Sequence, residues 1–67
     1  MRIIPLGNEA YVLEGFSVAM PHLRFTLQKI EGDYVVINRE GEAFDRASFD
    51  RCAIARLTAW LSARRAA

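Results

Sequence analysis

The segment from Asp45 to Arg65 constrains this chain more than any other, because it alone is long enough to cover a sheet and its side chains sort onto two sides. At about 100° per residue, Phe49, Ala53, Leu57, Trp60 and Leu61 fall on one arc, and Ser48, Arg51, Ala55, Thr58 and Ser62 on the opposite one. A helix divided in this way needs an apolar surface beneath it. Its start is written locally: the Asp45 carboxylate can accept from the free amides of the first turn and sits at the positive end of the dipole. With Asp45 as N-cap, Phe44 and Phe49 take the two positions of a hydrophobic staple, and Ser48 stands where a full capping box has Glu or Gln. Arg64 and Arg65 suit the negative C-terminal pole.

The residues before the helix must supply that surface. Arg2 to Leu6 is a short apolar start interrupted by Pro5, which fits an edge strand or an extended arm but not a central strand. Gly7 and Asn8 are turn formers. The alternation of Val12, Phe16, Val18 and Met20 favours a strand from about Val12 over a short helix capped by Asn8 and ended at Gly15. After Pro21 and His22, residues 23–30 alternate cleanly: Leu23, Phe25 and Leu27 point one way, Arg24, Thr26 and Gln28 the other. Glu31, Gly32 and Asp33 turn the chain into a strand from Tyr34 to Arg39.

The length of that turn decides which faces meet, since a slip of one residue inverts a strand. A two-residue loop sets Leu27 beside Val36 and leaves Val35 and Ile37 with Thr26 and Gln28. A three-residue loop sets Leu27 opposite Ile37 and gathers Phe25, Leu27, Val35 and Ile37 on one side. The second arrangement gives the helix a single apolar face to cover and is the one expected, with Tyr34, Val36 and Asn38 looking outward. The expected fold is α+β: an antiparallel meander of three to four strands with one C-terminal amphipathic helix packed on one face.

Sixty-seven residues make one small domain, and a chain this short buries only about 60% of its unfolded surface. At 52% apolar and 25% charged it is too hydrophobic for disorder. Dimerisation is one remedy for so small a core. No uncharged run approaches the roughly 20 residues of a membrane span. The apolar start ends at Gly7, too soon for a secretory signal, and the lone Cys52 excludes an internal disulfide, so a cytoplasmic protein is expected. Residues 1–44 carry four basic and six acidic groups, whereas residues 45–67 carry five arginines against Asp45 and Asp50. A basic helix lying on an acidic sheet explains this balance, and a footprint for an acidic partner is the sharper alternative.

Chemistry is sparse. One cysteine and one histidine, Cys52 and His22, fall short of a structural zinc set, and no phosphate-binding or dinucleotide glycine pattern occurs. Cys52 and His22 form the only nucleophilic pair available, but a free cysteine more often serves as a small hydrophobe. Glu14 sits in an apolar run, where a carboxylate either is buried or points out from an edge strand. No catalytic residue, metal ligand or cofactor is therefore assigned. Five of the eight arginines lie on the helix, which raises nucleic-acid binding. They do not gather on one side, and Arg46 is spaced to pair with Glu42 and Asp50.

Small residues follow one line of the helix: Ser48, Cys52, Ala55, Ala59, Ser62 and Ala63, a pattern that lets another backbone approach or that simply favours helix. The expected function is a non-catalytic protein-interaction module, such as a small regulator, adaptor or inhibitor of the kind found among phage accessory proteins. It would act on a partner protein or as a homodimer. A nucleic-acid-binding regulator using the Arg-rich helix is the alternative, and no membrane role is expected. The partner-binding residues nominated are Thr26, Gln28, Tyr34 and Val36 on the sheet, and Arg51, Ala55, Thr58, Ala59 and Ser62 on the helix.

Overall fold

The computed structural model describes residues 1–41 and 45–66. Four strands, β1 (Arg2–Gly7), β2 (Ala10–Glu14), β3 (Arg24–Ile30) and β4 (Asp33–Glu40), are followed by the helix α1 (Arg46–Ala66). The strands lie in sequence order in one antiparallel sheet, the meander expected, with α1 across one face. Pro5 lies in β1, an edge strand, where its missing amide proton breaks no central ladder.

The core is the seam between α1 and the sheet. Leu13, Leu23, Phe25, Leu27, Ala53 and Leu57 are fully enclosed, and Phe49, Ile54, Trp60 and Leu61 pack around them from the helix. Aromatic groups anchor both ends of the rod. Phe49 stacks on Phe25 at 6.3 Å while Phe16 meets both rings edge-on; eleven residues on, Trp60 packs edge-on against Tyr11, which in turn meets Tyr34. Such pairs add direction to what area burial alone supplies. The Arg64 guanidinium lies over the Trp60 ring, 4.5 Å from its centroid.

Asp45 caps the helix as its sequence predicts, accepting from the Ser48 amide at 3.3 Å and the Ser48 hydroxyl at 2.7 Å. Those bonds hold its carboxyl below the usual carboxylate range, the Ser48 hydroxyl acting most strongly. Phe44 and Glu42, expected as partners of Phe49 and Arg46, lie outside the described residues. Asp50 does not pair with Arg46; it binds Arg39 of β4 and so ties helix to sheet.

Two local departures follow from backbone conformation. The strand expected from Val12 begins two residues earlier and ends at Glu14, because Gly15 turns the chain out of the sheet at φ +65°. Phe16 and Met20 then reach back to the core from a turn held by the Ser17 hydroxyl, which accepts from the Met20 amide at 3.1 Å. Gly41 ends β4 at φ +91° against the Leu23 side chain, with no room for a Cβ.

The third departure matters for function. The β3–β4 loop has two residues, Glu31 and Gly32, with φ +52° and +89°, and Ile30 pairs with Asp33. Positive φ at both positions is the signature of a type I′ hairpin, whose twist matches the strands it joins. Leu27 therefore pairs with Val36 and not with Ile37, and an extra residue in β4, Ile37, forms a bulge before Asn38 pairs with Thr26. Tyr34 and Val36 face the helix and pack on the core, so their expected outward placement is corrected. Burying an aromatic ring and a valine under α1 outweighs the strain of Glu31 at positive φ, about 1–2 kcal/mol.

Candidate functional site

The register that turns Tyr34 and Val36 inward turns other side chains out. On the face away from α1 the strands form cross-strand rows, because paired residues share a side of the sheet. At one end lies Arg2, Glu14, Arg24, Glu40; beside it Ile4, Val12, Thr26, Asn38; then Gly7, Ala10, Gln28, Val35. The bulge residues Leu6 of β1 and Ile37 of β4 sit at nearly the same level on the two edges. Leu6, Ile30, Val35 and Ile37 are 56%, 47%, 36% and 53% exposed, and Ile4 and Val12 are half-buried among them.

This composition is unusual for a water-facing layer. An antiparallel sheet covered on one side normally alternates apolar inside and polar outside. Here the uncovered side carries six branched aliphatic residues beside eight polar or charged ones, and four of the six, Leu6, Ile30, Val35 and Ile37, leave hydrocarbon against water. Thr26 and Gln28, nominated from sequence, do stand on this face. The Gln28 side-chain amide donates to the Asn8 carbonyl at 2.7 Å, which fixes it to the β1–β2 turn.

The charged row closes one end of the patch. Glu14 lies 3.8 Å from the Arg2 guanidinium and 3.0 Å from that of Arg24, and Arg24 reaches Glu40 at 3.7 Å, so three ion pairs link all four strands. Signs alternate across the row, plus, minus, plus, minus. Of the two readings of Glu14 the outward one gives its direction, but β2 is an internal strand, not an edge, and the carboxylate is half-buried and shared between two guanidinium groups.

The nominated helix residues lie on the other side of the molecule. Arg51, Ala55, Thr58, Ala59 and Ser62 are exposed; the Thr58 hydroxyl donates to the Ile54 carbonyl at 2.8 Å, and Arg51 leans on the Ser48 hydroxyl at 3.4 Å. They cannot form one surface with Thr26 and Gln28, because the core lies between. Cys52 is exposed instead of enclosed. An open groove of about 450 Å³ separates the end of α1 from the β3–β4 hairpin, with Lys29, Tyr34, Leu61 and Arg65 on its walls. Burial and the neighbouring Tyr11 and Glu9 push the Tyr34 phenol upward, with Arg65 opposing.

Among the described residues no three His, Cys, Asp or Glu side chains converge as a metal site, and no helix is long and apolar enough to cross a membrane. Compared with family models, with curated proteins and with solved structures, the chain matches none.

Proposed function

We propose that this chain is a non-catalytic protein-interaction module whose working surface is the uncovered face of the sheet. One observation carries the reading: Ile4, Leu6, Val12, Ile30, Val35 and Ile37 are presented by hydrogen-bonded strands on the face opposite α1, with Leu6, Ile30, Val35 and Ile37 exposed and Ile4 and Val12 half-buried. Apolar centres bordered by charge are how protein interfaces are built, with affinity from the centre and orientation from the rim. The row from Arg2 to Glu40 is such a rim. The surface nominated from sequence thus keeps Thr26 and Gln28, loses Tyr34 and Val36, and gains the six aliphatic residues.

The alternative, an arginine helix on nucleic acid, has weaker support. Arg64 is drawn over Trp60 and Arg51 towards Ser48, and the sheet arginines face carboxylates. The test is affinity capture from the host with the wild-type chain, Ile37→Asp and Ala59→Glu, each checked for folding by circular dichroism. A protein held by the wild type and Ala59→Glu but lost with Ile37→Asp supports the sheet face. Equal retention by all three refutes it.

A further inference from the structure

Resting on the reading of the uncovered face as a protein-binding surface, we propose that its occupant is a second copy of this chain, packed sheet to sheet about a two-fold axis parallel to the strands and running between β2 and β3. The charge row dictates the operator. An axis along the strands keeps every row at its own level and exchanges β1 with β4 and β2 with β3. Arg2 then stands over Glu40 of the second copy and Glu14 over its Arg24, so a row reading plus, minus, plus, minus meets its own complement. A perpendicular axis in the interface plane inverts the strands instead. It lays the charged row on the far end of the sheet, near Leu6 and Ile30, and leaves charge against hydrocarbon.

The neighbouring mixed row and the two edge bulges follow the same operator. Val12 meets Thr26 of the copy, Ile4 comes over its Asn38, and the two edge bulges meet, Leu6 of one copy over Ile37 of the other. Two twisted sheets packed face to face keep their strands within about 30° at a separation of about 10 Å, so the contacts nearest the axis hold best. Those are Glu14 with Arg24 and Val12 with Thr26. The interface is isologous and closed, as a two-fold requires.

Edge-to-edge pairing, the other route for a sheet to associate, is obstructed on both sides. Pro5 interrupts the donors of β1, and the Ile37 bulge breaks the ladder edge of β4. What remains for a second sheet is the face.

The test uses two charge variants. Glu14→Arg with Glu40→Arg makes the row wholly positive, and Arg2→Glu with Arg24→Glu makes it wholly negative. Sedimentation equilibrium at low salt is expected to give the wild type twice the 7.6 kDa chain mass, each variant alone the single mass, and their equimolar mixture the double mass again. Circular dichroism establishes that each variant is folded. Should either fail to fold, Ile37→Asp at its exposed bulge is expected to weaken self-association at least tenfold. A wild type of single mass at every concentration overturns the second copy, yet leaves the binding surface standing if host capture is still lost with Ile37→Asp. A double mass that survives in both charge variants alone, or is abolished by Ala59→Glu and not by Ile37→Asp, overturns the arrangement.

Discussion

Val35 and Val36 are adjacent and chemically identical, yet the register of β4 gives them opposite fates. Replacing either by alanine removes two methyl carbons. At about 0.8 kcal/mol per buried carbon, full burial would make the loss about 1.6 kcal/mol. Val36 is partly buried against the core, so Val36→Ala should cost about 1 kcal/mol, with incomplete collapse of the space left behind adding a few tenths. Val35 is 36% exposed on the uncovered side, so the same coefficient gives Val35→Ala about 1 kcal/mol with no core cavity to add to it. Urea unfolding followed by Trp60 fluorescence measures both, with an unchanged slope showing that the same surface is released. The Val36 effect should not vary with protein concentration. The cost at Val35 should grow with concentration if a second copy covers it. If Val35→Ala proved the more destabilising at every concentration, the two-residue loop and the face derived from it would both be wrong.

Three further outcomes are expected. Gly41→Ala combines positive φ with a Cβ placed 2.0 Å from Leu23 Cδ2, and should cost at least about 2 kcal/mol, or roughly 10 °C in Tm by calorimetry. Asp50→Ala leaves the Arg39 guanidinium half-buried without its carboxylate, for a loss of about 2 kcal/mol in chemical denaturation, between the exposed and buried limits. Asp45 has a folded pKa below its ordinary 3.8, so its contribution is present above that value and lost as pH falls through the folded one; an acid titration of stability should show this limb, and Asp45→Ala should remove it.

Much of the architecture is legible in the residues, and the reasons are local. The Asp45 cap, the 3.6-residue spacing from Phe49 to Leu61 and the strict alternation from Leu23 to Gln28 each act within one element, and each is found in the structure. The β3–β4 register depends instead on a contest between elements. Glu31 accepts a left-handed backbone, and the Ile37 bulge then shifts phase midway, so that both Tyr34 and Val36 face the helix while Phe25 still pairs with Arg39. Nothing in a two-residue period announces a bulge. The hint was the surplus: seven β-branched or aromatic positions cannot all fit beneath one helix, and the two-residue loop already placed Val35 and Ile37 beside Thr26. Leu6 was similarly concealed, because the β1 bulge depends on Gly7 at φ +88°. The candidate surface was thus half visible, through Thr26 and Gln28, and its hydrocarbon was not.

Ile4, Val12, Val35 and Ile37 are proposed to form a surface that a second copy covers. Methyl NMR with a soluble paramagnetic reagent reads this directly, using Val18, 98% exposed in a turn, as an internal reference. With rising protein concentration, broadening at the four face residues should fall while that of Val18 stays constant. Broadening at the four that does not change with concentration would contradict it.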